Sequence, residues 1–169
     1  WMNMQRVLVG LAGATGYVGQ ELLALLARHP RVTLTTAMSS GAGRTSLPRM
    51  ARVWDGELVP LSVDQLAEKA NAAFLALPDP VTAEVVPALV ERGVRVFDLS
   101  GTFRLRDSEQ RAKWYPAASD TVASTAVYGL PEHCGDALRD ATLVACPGCY
   151  PTAALLALRP LIAADLLAD

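Results

Sequence analysis

Three glycines spaced three residues apart separate an apolar run from an amphipathic segment near the start of the chain. They are Gly13, Gly16 and Gly19. The preceding run, Gln5–Ala12, is rich in Val and Leu without alternation, which is typical of a strand covered on both faces of a parallel sheet. The segment that follows, Gln20–Arg28, carries its leucines on one face and predicts a helix. The order of strand, glycine turn and helix therefore predicts a β-α unit.

This glycine turn predicts a dinucleotide-binding site. Its spacing is G-x-x-G-x-x-G instead of the G-x-G-x-x-G of most NAD enzymes, but the physical basis is the same. Glycines allow a tight turn and a close approach of the backbone to a pyrophosphate, and the helix N-terminus points at that anion. The alternative interpretation is a turn that serves only packing. The candidate cofactor contacts are Gly13, Thr15, Gly16, Tyr17, Val18 and Gly19.

Strands and helices alternate along the rest of the chain. Further parallel-type strands are predicted at Val32–Met38, Ala72–Leu77, Val94–Leu99 and Thr142–Ala145, with Val122–Tyr128 as another strand. Helices are predicted from Ser62 to Lys69 and from Thr82 to Glu91, and the segment Thr45–Pro60 is expected to be irregular. Short connections favour right-handed βαβ units and an α/β fold with a doubly wound, mostly parallel, Rossmann-like sheet. Ligands of such sheets bind at the carboxyl edge, where we expect Pro78 and Ser100 to contact the cofactor.

The second strand is not followed by an acidic residue. NAD-preferring sites place Asp or Glu there to bind the ribose hydroxyls, whereas this chain has Ser39, Ser40 and, slightly later, Arg44. Small hydroxyl residues followed by a cation suit the 2′-phosphate of NADP. A solvated loop charge is the other interpretation of Arg44.

Cys149 follows an apolar run and the turn residues Pro147 and Gly148. An Ala/Leu-rich helix is predicted from Thr152 to Ala164, so Cys149 lies at or just before a helix N-terminus, where unpaired N–H groups and the helix dipole favour a nucleophilic thiolate. A buried filler cysteine and a Cys-x-x-Cys redox pair with Cys146 are the alternatives. A redox motif of that type comes early in its domain, so the late position favours a single nucleophile.

Arg104 follows the strand that ends near Leu99, and is a candidate for binding an anionic substrate, with a surface loop charge as the alternative. A short polar helix is expected from Asp107 toward Trp114. The adjacent pair His133 and Cys134 falls in a turn, which favours a surface histidine over a catalytic pair.

Composition excludes several classes of function. Net charge is −2 and the 15 Lys and Arg residues are not clustered, so we expect no nucleic-acid partner. The apolar runs are much shorter than the roughly 18 residues of a membrane span, so we expect no membrane partner either. Three cysteines form no disulfide framework, which favours a reducing, cytoplasmic location. No set of residues has the spacing of a metal site.

Four segments together resemble the N-terminal part of the N-acetyl-gamma-glutamyl-phosphate reductases. They are Gly13–Gly19, Asp98–Asp107, Tyr128–Glu132 and Pro147–Ala153. The aspartate-semialdehyde dehydrogenases are a related family. The resemblance implies an NADPH-dependent enzyme of arginine biosynthesis that reduces an acyl phosphate to a semialdehyde. It further implies that Cys149 forms the thioester and that Arg104 binds the substrate phosphate.

The resemblance also implies a domain division. Residues 4–148 would form the dinucleotide-binding domain, and residues 149–169 would begin a catalytic domain. Members of the family are about twice this length, form homo-oligomers and supply a catalytic histidine from their second half. The chain is therefore expected to be an N-terminal fragment, inactive by itself.

Three departures from the family pattern stand close to the expected site. Cys146 occupies a position that is usually Asn, Asp79-Pro80 replaces His-Gly, and Gly101-Thr102 replaces Ala-Asp.

Overall fold

One parallel sheet organises the chain in the computed structural model, which describes residues 6–39, 53–115 and 117–167. Within those residues seven strands pair in the order β3-β2-β1-β4-β5-β7-β6. Their bounds are β1 Val7–Ala12, β2 Val32–Ser39, β3 Leu58–Pro60, β4 Ala72–Leu75, β5 Arg95–Asp98, β6 Val127–Tyr128 and β7 Leu143–Ala145. Every pairing is parallel. The order reverses direction between β1 and β4, which is the position where doubly wound sheets open a crevice for ligands.

Helices connect these strands. The α-helices are α1 Tyr17–Arg28, α2 Val63–Lys69, α3 Asp79–Glu91, α4 Ser108–Trp114, α5 Asp120–Thr125, α6 Pro131–Cys134 and α7 Cys149–Ala163, and a 3₁₀ turn covers Gly135–Leu138. Ser62 caps α2 by accepting a hydrogen bond from the Gln65 N–H, and Asp107 caps α4 in the same way through the Gln110 N–H.

The sheet is covered on both faces. On one face, leucines of α1 pack against apolar residues of β1, in two clusters that include Leu11 with Leu23 and Val9 with Leu26. On the other face, Leu66 of α2 and Leu89 of α3 belong to the largest buried cluster. The predicted doubly wound α/β fold is therefore confirmed, and covering on both faces explains why the strands lack alternation.

Three helices begin one turn earlier than the apolar pattern predicts. The helices α1, α3 and α7 start at Tyr17, Asp79 and Cys149 and not at Gln20, Thr82 and Thr152. Each is preceded by a residue in extended conformation that makes no side-chain cap, namely Gly16, Pro78 and Gly148. The first residues of these helices, Tyr17, Asp79 and Cys149, are exposed at the sheet edge, so the apolar pattern begins only later in each helix.

Two other expectations were wrong. The segment Val122–Tyr128 is not a single strand, because α5 runs to Thr125 and only Val127–Tyr128 pair in the sheet. The Ser119 hydroxyl accepts a hydrogen bond from the Val122 N–H and caps this helix, which overrides the β-branched composition. The segment expected to be irregular contains the short strand β3, while residues 45–52 lie outside the described part of the chain.

Helix α7 is the least covered element. None of its residues is buried, and apolar side chains such as Leu158 and Ile162 are 47% and 63% exposed. In the described ranges, no helix combines the length and the hydropathy that crossing a membrane requires.

Candidate functional site

The predicted site residues follow strand ends that form one row across the sheet. Register pairs align Met38, Ala12, Leu75, Asp98 and Ala145 on neighbouring strands. Adjacent strands lie about 4.8 Å apart, so this row is about 19 Å long. The glycine turn, the end of β2, the start of α3, the loop after β5 and the start of α7 therefore share the carboxyl edge.

The three glycines of the turn differ in how much room each leaves for a side chain. Gly13 has a φ of +84°, and its N–H donates to the Met38 carbonyl at 2.9 Å. A Cβ at Gly13 would collide with the Ala76 carbonyl, and a Cβ at Gly19 would collide with the Gly13 carbonyl. A Cβ at Gly16 would meet only the Gly13 oxygen at 3.5 Å, an ordinary contact. The fold therefore requires Gly13 and Gly19, while Gly16 leaves open space ahead of α1.

The remaining predicted cofactor contacts at this turn are Thr15, Tyr17 and Val18. Tyr17 and Val18 are 95% and 51% exposed in the first turn of α1. The Thr15 carbonyl accepts a hydrogen bond from the Gln20 side chain at 2.9 Å. Beyond Tyr17, which adjoins Gly16 in the chain, no side chain of α1 lies within 4 Å of a Cβ placed at Gly16, so the space in front of this residue is open.

Ser39 ends β2 beside the glycine turn. It is 2% exposed, and its Oγ has no hydrogen-bond partner in the described residues. A buried hydroxyl without a partner is uncommon, and a bound ligand is one way to satisfy it. Ser40 and Arg44 lie outside the described residues.

Cys149 is the first residue of α7 and is exposed. Gly148 precedes it, and the Gly148 carbonyl accepts hydrogen bonds from the Thr152 N–H at 3.0 Å and the Thr152 hydroxyl at 2.8 Å. The N–H groups of a first helical turn have no partners within the helix, so they are available around the sulfur. Pro151, in that same turn, has no N–H to leave unpaired.

Arg104 crosses the edge from the loop after β5 to the start of α7. Its Nε donates to the Cys146 carbonyl at 2.8 Å, and its Nη2 donates to the Leu99 carbonyl at 2.7 Å. A Cβ at Gly148 would lie 3.1 Å from Nη1, so the guanidinium lies directly beside the residue that precedes Cys149. Half-buried and held by two carbonyls, Arg104 is not a free surface charge.

Two groups beneath Arg104 hold their protons more tightly than usual. Asp98 is fully buried, and burial raises its pKa although the Ser100 N–H donates to its Oδ1 at 2.8 Å. Burial, with a smaller contribution from the Asp98 charge, raises the pKa of the Cys146 thiol to about 11. Cys146 therefore stays protonated at neutral pH, and all three cysteines are free thiols.

Sequence reasoning missed the role of Asp79. The Asp79 Oδ1 accepts from the Gly101 N–H at 2.7 Å, and the Thr102 hydroxyl lies 3.1 Å from the Asp79 carbonyl oxygen. The three departures from the family pattern therefore surround Arg104, because Asp79 contacts Gly101 and Thr102 while Cys146 contacts Arg104 directly. The available signal was the position of Asp79 in the short Pro78–Pro80 segment between a predicted strand and the following predicted helix.

Pro78 and Ser100, the other predicted cofactor contacts, also lie at this edge. Pro78 is exposed and precedes α3, and the Ser100 hydroxyl donates to Thr102 Oγ1 at 2.9 Å. A shallow pocket of about 220 Å³ opens next to them, lined by Asp79, Pro80, Thr102, Trp114, Tyr115 and Ala117.

Two side chains behind the site also differ from expectation. Arg111, which the polar pattern of α4 does not single out, is 4% exposed and donates to the Leu105 carbonyl at 2.7 Å. It also pairs with Asp120. His133 was expected at the surface, but its Nε2 is buried without a partner in the described residues, and the Cys134 thiol donates to the Tyr128 carbonyl.

A doubly wound parallel sheet with a glycine turn at its switch point defines the class of dinucleotide-binding domains. Residues 8–141 match the family described as semialdehyde dehydrogenase, NAD binding domain. Since this match spans most of the chain, the chain belongs to that family.

Individual relatives agree with this assignment. The chain is 44% identical over 167 residues to N-acetyl-gamma-glutamyl-phosphate reductase of Geobacillus stearothermophilus, and 41% identical over 168 residues to that of Thermosynechococcus vestitus. Those alignments cover 95% and 96% of this chain but 48% of each relative. Aspartate semialdehyde dehydrogenase with NADP from Candida albicans has the same fold, with a TM-score of 0.66 at 16% identity, over 98% of this chain and 49% of that one. The chain thus spans about half the length of the curated relatives it matches.

Proposed function

We propose that this chain supplies the NADPH-binding site and the nucleophile of an N-acetyl-gamma-glutamyl-phosphate reductase. One observation carries the proposal. Cys149 begins a helix at the same sheet edge as the glycine turn, and the Arg104 guanidinium lies beside the residue before it. A nucleophile, an anion-binding group and a dinucleotide turn are the parts that reduction of an acyl phosphate requires.

In the proposed reaction, the Cys149 sulfur attacks the carbonyl carbon of the acyl phosphate. A C–S bond forms, the C–O bond to phosphate breaks, and inorganic phosphate leaves with the electron pair of that bond. Arg104 attracts the phosphate in the substrate and balances its charge as it leaves. The first turn of α7 has N–H groups without partners in the helix, and such donors stabilise the negative charge on the tetrahedral oxygen.

NADPH, when bound, supplies the hydride that converts the thioester into the semialdehyde and releases the Cys149 thiolate. The open space at Gly16 fits a pyrophosphate, and the Ser39 hydroxyl, which has no partner among the described residues, fits a donor to the ribose or its 2′-phosphate. The absence of an acidic residue at the end of β2 supports a preference for NADPH over NADH.

The Cys-x-x-Cys redox alternative is less well supported. A dithiol enzyme needs a thiolate that attacks its partner sulfur or its substrate, and the sulfurs of such motifs usually have lowered pKa values. Burial does the opposite to Cys146, whose pKa is raised to about 11.

Cofactor preference is tested by thermal unfolding. At 100 times its Kd, NADPH should stabilise the chain by about 2.7 kcal/mol, which corresponds to about 5–10 °C in Tm. NADH at the same concentration should raise Tm by less. Ser39→Ala or Arg44→Ala should reduce the difference between the Tm increases that the two cofactors cause. Equal stabilisation by both cofactors, or an unchanged preference in both variants, would contradict the assignment.

A further inference from the structure

The turn that carries Arg104 is held by a carboxylate from a different βα unit. Asp79 is the first residue of α3, after β4, whereas the turn follows β5. The Asp79 Oδ1 accepts from the Gly101 N–H at 2.7 Å and lies 3.3 Å from the Thr102 hydroxyl oxygen, while the Asp79 carbonyl lies 3.1 Å from that oxygen. Asp79 thus contacts two consecutive residues of the turn.

The turn transmits this restraint to Arg104. The Gly101 carbonyl accepts a hydrogen bond from the Arg104 N–H at 3.2 Å, which closes the turn over its four residues. Between them, Thr102 and Phe103 are 1% and 2% exposed, so the turn is anchored on its inner side. Tyr115 lies so close to Gly101 that a Cβ there would collide with its ring. Asp79, which is exposed, bonds to the Gly101 and Thr102 side of this turn.

The orientation of the turn decides where the guanidinium can reach. Arg104 must contact the Leu99 and Cys146 carbonyls at 2.7 and 2.8 Å while Nη1 stays beside Gly148. Hydrogen bonds weaken steeply with distance and angle, so a displacement of about 1 Å at the Cα of Arg104 would break at least one of them. A group that fixes Gly101 and Thr102 therefore fixes the cation.

We propose that Asp79 is a positioning residue, which holds the Gly101–Arg104 turn so that the Arg104 guanidinium stays beside the Cys149 end of α7. The inference rests on the proposed anion-binding role of Arg104. It assigns to Asp79 an effect opposite to that of its charge, since a nearby carboxylate alone would repel an anion from the site.

This opposition makes the proposal testable with two alkylating reagents on the 169-residue chain. Iodoacetate is anionic and iodoacetamide is neutral, and peptide mass mapping gives the rate of each at Cys149. The ratio of the two rates reports the positive potential at the sulfur, and the iodoacetamide rate alone reports that the helix end is intact. Arg104→Met should lower the ratio about fivefold, as expected for the loss of one cation a few ångströms away.

Asp79→Ala should lower the ratio to nearly the same extent, although it removes a negative charge. Asp79→Asn keeps a carbonyl oxygen for the Gly101 N–H and should leave the ratio at or above that of the wild type. Thr102→Val, which removes only the hydroxyl contact, should give a smaller loss than Asp79→Ala. Both reagents attack the same thiolate, so a change in its population alters the two rates equally and cancels in the ratio. Thr102→Val should in addition leave the iodoacetamide rate within about twofold of the wild type, because it keeps every charge near the sulfur.

The outcomes separate the two proposals. A ratio that falls in Arg104→Met but not in Asp79→Ala overturns the positioning role and leaves the role of Arg104 intact. An equal rise in Asp79→Ala and Asp79→Asn means that the carboxylate acts by charge alone, which also overturns it. A ratio unchanged by Arg104→Met overturns the proposed anion-binding role itself.

Discussion

Gly16→Val is expected to weaken NADPH binding by at least about 100-fold while the chain stays folded. A side chain at Gly16 would fill the space ahead of α1 that a pyrophosphate needs, and the loss of that contact removes the anion from the helix N-terminus. The domain should tolerate the change, because a Cβ there meets only the Gly13 oxygen at 3.5 Å. Titration of NADPH by fluorescence, with circular dichroism of the same samples, measures both effects.

Gly13→Ala is the matched control for this prediction. It adds a Cβ to a residue with a φ of +84° and against the Ala76 carbonyl, so it should destabilise the fold itself. Strain of this kind costs about 1–3 kcal/mol before the steric clash is counted. If Gly16→Val binds NADPH normally, the glycine turn only packs the helix against the sheet. If both variants unfold alike, the distinction between the glycines is wrong.

Cys149 is expected to react with iodoacetamide at least about 100-fold faster than Cys146 at neutral pH. With a pKa of about 11, Cys146 has a thiolate fraction of only about 10⁻⁴ at pH 7, whereas an ordinary exposed thiol is ionised to a few per cent. Cys149 is exposed whereas Cys146 is half-buried, so the reagent also reaches the Cys149 sulfur more readily. The rates are read from peptide masses at several times and pH values.

The pH dependence of the alkylation rates shows whether Cys146 reacts slowly because its thiol is protonated or because the reagent cannot reach it. Because the pKa of Cys146 is raised, its rate should keep rising about tenfold per pH unit from pH 7 to pH 10. In denaturant the three cysteines should converge on one rate. A Cys149 that reacts no faster than Cys134 in the folded chain would mean that the helix end does not activate the sulfur.

Apolar runs and glycine spacing predicted the five central strands and their carboxyl edge, but not β3 and not the extent of β6. Strand β7 consists of buried Leu, Val and Ala, and β1 has the same composition apart from Gly10, while a parallel sheet places the ends of these strands together. The first turns of α1, α3 and α7 could not be predicted, because a turn that projects past the sheet edge has no apolar periodicity. Cys149 and the residues around Gly16 lie in or beside those turns. The sequence therefore predicts where the site lies on the sheet but not its local geometry.

Contacts between distant segments were beyond sequence reasoning. Asp79 and Gly101 are 22 residues apart, and neither sequence segment indicates that the two residues are in contact. Arg104 could be selected as a candidate because a cation after a strand end suits an anion. Its attachment to the Cys146 carbonyl depends on β5 and β7 being neighbours, which chain order does not indicate because β6 comes between them. Burial of Arg111 depends in the same way on α4 meeting α5.

Covalent trapping tests the proposed chemistry most directly. The protein is mixed with N-acetyl-gamma-glutamyl phosphate without NADPH, quenched, and mapped by peptide mass, in parallel with Cys149→Ser and Cys146→Ser. We predict a hydroxylamine-labile acyl group on Cys149 in the wild type and in Cys146→Ser, and none in Cys149→Ser. An acyl group on Cys146, a disulfide between Cys146 and Cys149, or an unmodified Cys149 in the wild type would contradict the assignment of Cys149 as the nucleophile.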